Sequence, residues 1–576
     1  MSNFSFLKEQ FPVLENFGSL AERYVYTDVN SCLLKLGMIG ETIVNLMFRY
    51  DRLPLSIDNT AVARIDALLQ EGMLPRDICD ILHALRKARN RAVHENYESG
   101  EEGRALLEMA YSLCEWFMQT YGDWDYESRP FVMPLPPAEN ISPGKAEEKA
   151  IEEELMKEAE TKAAVAKKVD SAERKQKAFR AASGRVRSEA ETRYMIDMQL
   201  RQAGWEADTQ TMRYARGTRP QKGRCMAIAK WPTLSGTGKK GFADYALFAD
   251  RKLVAIIEAK ALHKDIPSVI DYQCKDYARN IRKEDALYQA GTWGSYRVPF
   301  VFATNGRPYL EQLATRSGIW FLDLRAPSNA PRALRGWMSP EGLLEMLRES
   351  AAAGSRALGE MPYDFLRDEN GLALRAYQVE AIKAAEQAIT EGRRNVLLAM
   401  ATGTGKTRTI LGLIYRFLKS GRFRRILFLV DRTSLGEQAE DVFKEVRLEN
   451  LLTLDNIYNI KGLDDKDIDR ETRLQVATVQ SMVKRILYSD GDDMPSVTDY
   501  DLLIIDEAHR GYILDREMGE EELLYRDQLD YQSKYRSVIE YFDAVRIALT
   551  ATPALQTTRI FGEPVFCYTY REAVIE

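Results

Sequence analysis

Cysteine is scarce in this chain. The 6 among 576 residues stand at positions 32, 79, 114, 225, 274 and 567, with no paired metal spacing. They read as reduced thiols of a cytoplasmic protein. No uninterrupted apolar run reaches the roughly eighteen residues that cross a bilayer. The opening MSNFSFLKEQF lacks the charged-then-apolar order of a signal peptide, so no membrane association is expected. Positive charge is not in excess either: 80 Lys and Arg against 86 Asp and Glu leave a net charge of −6. Nucleic-acid affinity would therefore rest on local basic stripes and on partner chains. What is present, 45% hydrophobic and 29% charged residues, is an ordinary globular composition. The length leaves room for about four domains, and no repeat recurs at a fixed period.

Phosphate chemistry is written between Met400 and Thr407, MATGTGKT. Asn395 to Ala399 predicts a short apolar strand, and Ile410, Leu413, Ile414 and Phe417 recur at helical spacing after the loop. Thr402, Gly403, Thr404 and Gly405 form a loop whose amides can turn inward around phosphate oxygens. Lys406 brings a point charge to the terminal phosphates, and the Thr407 hydroxyl suits magnesium. Met400 stands where the strict P-loop spelling has its first glycine. About a hundred residues later comes IIDEAHR, where Asp506 ends a buried strand and would hold the metal. Glu507 would orient or deprotonate the attacking water. LTATP, Leu549 to Pro553, follows as a coupling motif.

In that order the motifs resemble the superfamily 2 helicase-like motors. Arg375, Tyr377 and Gln378 match the family's adenine-reading motif; DRTSL from Asp431 and TVQSM from Thr478 match stretches that track nucleic acid. The resemblance covers residues 360–576 and implies one RecA-like lobe, α/β with parallel strands, that binds ATP and Mg2+.

A second stretch is GFADYALFADRKLVAIIEAK, Gly241 to Lys260. Leu253 to Ile257 predicts a buried strand, and side chains two apart share a strand face, so Glu258 and Lys260 point together. Asp244 can join them from the preceding strand of a hairpin. Two carboxylates and a lysine can hold magnesium and neutralise a scissile phosphate. Gln273 and Tyr277 follow at one helical turn, an amide and a phenol able to position the lysine or touch backbone. This resembles the PD-(D/E)xK nucleases, with Ala243 in place of the usual proline and thirteen residues between Asp244 and Glu258. The added QxxxY is characteristic of the nuclease domain of type I restriction motor subunits and their RecB-like relatives. SEAETRYMIDMQLRQAGW, Ser188 to Trp205, is similar to that domain's opening helix, with Glu191 or Glu189 as an auxiliary acid or simply a solvated charge. Arg213, Arg216, Arg219, Lys222 and Arg224, then Lys239 and Lys240, lead into this site as phosphate contacts or as a solvated loop.

Residues 1–133 predict an all-α domain. Ile39, Ile43, Leu46 and Met47 mark one apolar helix face, and Ile78, Ile81, Leu82 and Leu85 mark another. Within ARNRAVHENY, the residues Arg89, Asn90 and His94 resemble the R-N-x-x-x-H pattern of HEPN-like domains, with a structural or docking role expected. Pro134, Pro136, Pro137 and Pro143 then introduce a charged stretch, and 134–187 predicts a solvated helical linker.

The expected architecture is multidomain: a helical HEPN-like domain (1–133), the linker (134–187), an α/β PD-(D/E)xK nuclease (188–350) and the first RecA-like lobe (360–576). That order is similar to the restriction subunit of type I restriction-modification enzymes. The resemblance implies an ATP-dependent translocase and endonuclease acting on double-stranded DNA with methyltransferase and specificity subunits, S-adenosylmethionine entering only through the methyltransferase. Rival readings are a stand-alone repair helicase-nuclease and a HEPN-type RNA-targeting defence protein. TYREAVIE at the end is similar to the family's passage from first to second lobe; with only the first lobe present, a fragment of a longer subunit is expected, hydrolysing ATP slowly and not translocating by itself.

Overall fold

The computed structural model describes residues 2–575 except 54–59, 95–99, 124–125, 137–144, 184–188, 235–239, 261–265, 307–316, 349–350, 370, 432, 447–452, 455–457, 464–470, 488–493 and 509–527. The chain divides into two compact units, residues 1–201 with 206–331, and 202–205 with 332–576.

The first unit begins with helices only. These are α1 (Pro12–Tyr24), α2 (Val29–Asp51), α3 (Ala61–Gln70), α4 (Arg76–His94) and α5 (Gly100–Tyr121). Asp28 caps α2 by accepting from the Ser31 amide at 3.0 Å, and Thr60 caps α3 from Ala63 at 3.2 Å. The two apolar faces read from the sequence are both buried in one core with Phe4, Phe17 and Trp116. Helix α2 is long and apolar enough to cross a membrane by length and composition, and 67% of its most apolar window is buried inside the bundle.

The expected solvated linker is helical but packed. In α6 (Lys145–Val165) and α7 (Ser171–Ser183), the small residues Ala159, Ala163 and Ala178 are buried on the bundle. Trp116 Nε1 donates to the Ala178 carbonyl at 3.0 Å. Arg174 Nε donates to Asp51 Oδ1 at 3.1 Å, and Tyr121 Oη to Asp51 Oδ2 at 2.6 Å, all three side chains being buried. A charge-rich segment can dock when its inward charges are paired, and composition does not reveal that pairing.

Helix α8 (Glu189–Gln202) joins this bundle to a sheet. Tyr194, Met195 and Met198 enter the helical core, while Asp197 accepts from Thr209 N at 2.7 Å and Tyr245 Oη at 2.9 Å. The sheet runs in chain order: β1 (Glu206–Ala207), β2 (Cys225–Leu234), β3 (Lys240–Ala249), β4 (Lys252–Ala259), β5 (Phe300–Thr304) and β6 (Ile319–Asp323). β2, β3 and β4 are antiparallel, β4 and β5 parallel. Asp250 and Arg251, both at positive φ (47° and 67°), make the two-residue turn between β3 and β4. Their twist matches that of the flanking strands.

In the sheet of the second unit the described strand pairs are parallel. In chain order the strands are β7 (Asn395–Met400), β8 (Ile426–Val430), β9 (Asn459–Lys461), β10 (Thr472–Thr478), β11 (Leu502–Ile505), β12 (Val545–Thr550) and β13 (Phe566–Tyr568). They are arranged β9-β10-β8-β11-β12-β7-β13. β8, β11 and the Val396–Met400 part of β7 are wholly buried, as continuous apolar runs between two helical layers require. The helix Lys406–Ser420 buries Ile410, Leu413, Ile414 and Phe417. Its Arg416, fully buried, donates to Glu386 at 2.6 Å and to the carbonyls of Leu358, Met361 and Pro362.

Candidate nuclease and nucleotide sites

Strand pairing assembles the first site. Tyr245 opposes Ile257 across β3 and β4, so Asp244 and Glu258 lie one step further at the same end. Asp244 Oδ2 accepts from the Ala259 amide at 2.8 Å, fixing the carboxylate against β4. Lys260 Nζ donates to Glu258 Oε1 at 2.6 Å, the shared strand face read from the sequence. The Lys260 amide in turn donates to the Thr304 carbonyl of β5 at 2.8 Å.

Gln273 closes the cluster. Its Nε2 donates to Glu258 Oε1 at 2.7 Å and to Tyr277 Oη at 3.0 Å, so the QxxxY pair braces the carboxylate more than the lysine. The carrier is not a plain α-helix: Ile266–Val269 is α, Ile270–Cys274 is a π turn and Lys275–Arg279 is α again. Single π turns inside helices recur at functional sites because they redirect one side chain. The Tyr277 ring lies against Gly241 of β3, where a Cβ would come within 3.2 Å of it. Burial pushes the Glu258 carboxyl up to about 7, the Asp244 charge adds to this, and Lys260 opposes it. Glu258 Oε2 is buried with no hydrogen-bond partner, an acceptor suited to a cation. Among the described residues no group of three or more His, Cys, Asp or Glu side chains forms a metal cage.

Lys230 of β2 was missed in the sequence. Its ammonium donates to Asp244 Oδ1 at 2.5 Å. The available signal was one lysine within the apolar run CMAIAKWPTL.

Around this cluster, Glu191 is buried on α8, and its neighbour Thr192 lies against Gly306, two residues beyond Thr304. In the basic stretch, Arg219 stacks on the Tyr214 ring at 3.7 Å and Arg282 lies over the same ring at 4.9 Å. Arg224 pairs with Glu206, and Arg216 and Lys222 are exposed. In the front domain Arg89 pairs with Glu41 of α2 and lies on Gly37, while Asn90 is exposed. The side chains of His94, Ser188, Glu189, Lys239, Lys240, Arg432, Thr433, Ser434, His509 and Arg510 lie outside the described residues.

The second site sits at the carboxyl ends of β7, β11 and β12, where a parallel sheet presents its loops to ligands. Gly403 and Gly405 take φ of 79° and 75°, which only glycine adopts freely, and a Cβ on Gly405 would meet Gln378 Nε2 at 2.6 Å. Helix Lys406–Ser420 starts at the lysine and aims its N-terminus at the loop. Lys406 Nζ pairs with Glu507 Oε1 at 2.9 Å, and Glu507 stands at φ 49° beside Asp506, whose Oδ1 accepts the Glu507 amide. Thr404 Oγ1 donates to Ala401 O at 2.7 Å, while Thr402 is exposed and Thr407 half-buried.

Gln378 is fully committed to backbone: Oε1 accepts from Arg375 N at 2.9 Å, and Nε2 donates to Thr404 O at 3.0 Å and Gly405 O at 3.1 Å. Tyr377 Oη also donates to Thr404 O, at 2.9 Å, so this motif latches the loop from below.

A family model described as "Type I restriction enzyme EcoKI endonuclease subunit second domain" matches residues 206–347. Another, "Type III restriction enzyme, res subunit", matches 371–555, and a "Domain of unknown function (DUF4145)" matches 21–157. The type I restriction enzyme EcoKI endonuclease subunit of Escherichia coli strain K12 is 38% identical over all of this chain. The chain is a homologue of type I restriction endonuclease subunits. It spans 55% of the length of the EcoKI subunit. The EcoAI endonuclease subunit of Escherichia coli is 30% identical over 56% of this chain and 34% of its own length. The SsaAORF53P subunit of Staphylococcus saprophyticus is 28% identical over 35% of this chain and 21% of its own length.

Proposed function

We propose that this chain is an ATP-dependent DNA translocase and endonuclease subunit of a type I restriction-modification complex. Double-stranded DNA is the substrate, Asp244, Glu258 and Lys260 form a PD-(D/E)xK nuclease site, and residues 360–576 form a RecA-like motor lobe. The observation that carries the reading is the braced cluster of Asp244, Glu258, Lys260, Gln273 and Tyr277 on a chain that also holds a phosphate loop with its lysine paired to Glu507.

Asp244 and Glu258 would hold Mg2+ in the nuclease, and the unpartnered Glu258 Oε2 supports this. When bound, that ion supplies Lewis-acid neutralisation of the scissile phosphate. Lys260 adds a fixed positive charge beside it, and Gln273 keeps Glu258 from turning away. In the motor, the Gly403–Gly405 amides and Lys406 cradle the ATP phosphates. Lys406 must exchange its Glu507 partner for phosphate, which frees Glu507 to orient water; Thr407 and Asp506 would hold the Mg2+ of this site. Methyltransferase and specificity subunits supply base recognition, with S-adenosylmethionine bound by the methyltransferase. The front domain serves docking or stability: Arg89 is engaged by Glu41 within the bundle.

The test is cleavage of unmethylated plasmid by the subunit combined with its methyltransferase and specificity partners, with ATP and Mg2+. Cleavage should require all three subunits and stop with Lys406→Ala. Cleavage by this subunit without partners or ATP would sink the reading.

A further inference from the structure

Lys230 is the single charged residue of β2. Strand alternation sends Met226 and Ile228 into the core that also takes Ala246, Phe248 and Ile256, and the next even position is Lys230. Trp231, of opposite parity, enters the same core. The phase is reset at Lys230, whose φ is 52°, a left-handed conformation that costs free energy for any residue with a Cβ. Ala229 and Trp231 pair with Tyr245 and Ala243 on either side, so the strained residue stands opposite Asp244. Its ammonium reaches Asp244 Oδ1, the oxygen that the Ala259 amide leaves open. The site thus has a fourfold pattern: Lys260 on Glu258 and Lys230 on Asp244, with side-chain exposures of 25%, 5%, 31% and 15% respectively.

Strain at a charged residue aimed at a paired carboxylate is hard to explain by packing, because glycine would make the same turn without cost. We propose that Lys230 is a positioning residue of the nuclease site that acts through Asp244. It holds this carboxylate in place before metal arrives, and yields Oδ1 to the divalent cation. Its charge therefore sets how tightly the site takes that cation. The inference rests on reading the Asp244–Glu258 cluster as a metal-dependent nuclease.

Mn2+ is the probe, titrated without nucleotide into the full chain and followed by electron paramagnetic resonance. Lys230→Met and Lys230→Gly should each bind roughly tenfold more tightly, because one opposing charge a few ångströms from the ion has been removed. Lys230→Arg should bind like the wild type. In the assembled enzyme the Mn2+ midpoint for cleavage should fall in parallel while the maximal rate drops. Glycine accepts the left-handed backbone, so its variant should melt no earlier than the wild type. Wild-type Mn2+ affinity, or wild-type cleavage at every Mn2+ concentration, in both the Met and Gly variants would overturn the proposal. Asp244→Asn should abolish Mn2+ binding; binding and cleavage that survive this change would instead overturn the nuclease reading itself.

Discussion

The rings of Tyr377 and Tyr568 are stacked 4.0 Å apart and 8° from parallel. Tyr568 ends β13, beside β7, and its carbonyl accepts from Ala401 N at 3.0 Å at the start of the phosphate loop. Tyr377 reaches the other end of that loop through Thr404. The stack therefore ties the last strand to the loop that must grip phosphate. Tyr568→Ala should weaken ATP binding about fivefold, in line with an aromatic pair worth about 1 kcal/mol, and Tyr568→Phe should not. Fluorescent-nucleotide titration measures both; equal affinity in all three proteins would remove the stack from the nucleotide site.

Lys260→Ala and Glu258→Gln should each abolish DNA cleavage by the assembled enzyme while ATP turnover continues. The charge that stabilises the transition state is lost in one site and untouched in the other. Gln273→Ala should slow cleavage by roughly tenfold or more, since a brace is lost but no charge. Plasmid linearisation followed beside phosphate release separates the activities. A Lys260→Ala enzyme that still cuts would refute the assignment.

His94→Ala should leave cleavage and ATP turnover nearly unchanged, and cells expressing residues 1–140 should grow normally. Arg89→Ala should lower the melting temperature, because it strips Glu41 of its partner and empties the space over Gly37. RNA breakdown that depends on His94 would favour the RNA-targeting rival.

Asp543 gives a pH prediction. Burial would raise its carboxyl, but Arg332 and Arg394 outweigh burial and hold it well below the usual range. Arg332 binds it with two hydrogen bonds, 2.7 and 2.6 Å, and Arg394 with one of 2.8 Å. A carboxyl with a depressed folded pKa stabilises the fold above its unfolded value, about 4, and loses that contribution as pH falls below it. Asp543→Asn should therefore cost about 3 kcal/mol at pH 7, and its deficit should shrink between pH 4 and pH 3. Denaturant melts at those pH values decide it; a deficit independent of pH would mean that the arginines do not hold the charge.

Local patterns carried much of what is described here. The apolar runs of β4, β7 and β11, the helix after Gly405 and the two faces of the front bundle follow from periodicity, because burial of a strand or helix face needs nothing beyond neighbours in sequence. Glu258 beside Lys260, and Gln273 beside Tyr277, were legible for the same reason: a strand or helix fixes such pairs by its own repeat. Lys230 beside Asp244, Tyr568 on Tyr377, and α6 and α7 folded onto the bundle were not. Each depends on which strand or helix lies next door and on a backbone departure, φ 52° at Lys230 or the π turn at Ile270–Cys274, that no periodic pattern encodes. Long-range pairing is chosen by the total of burial and charge compensation over the whole unit, so only the folded chain decides which carboxylate a given lysine meets.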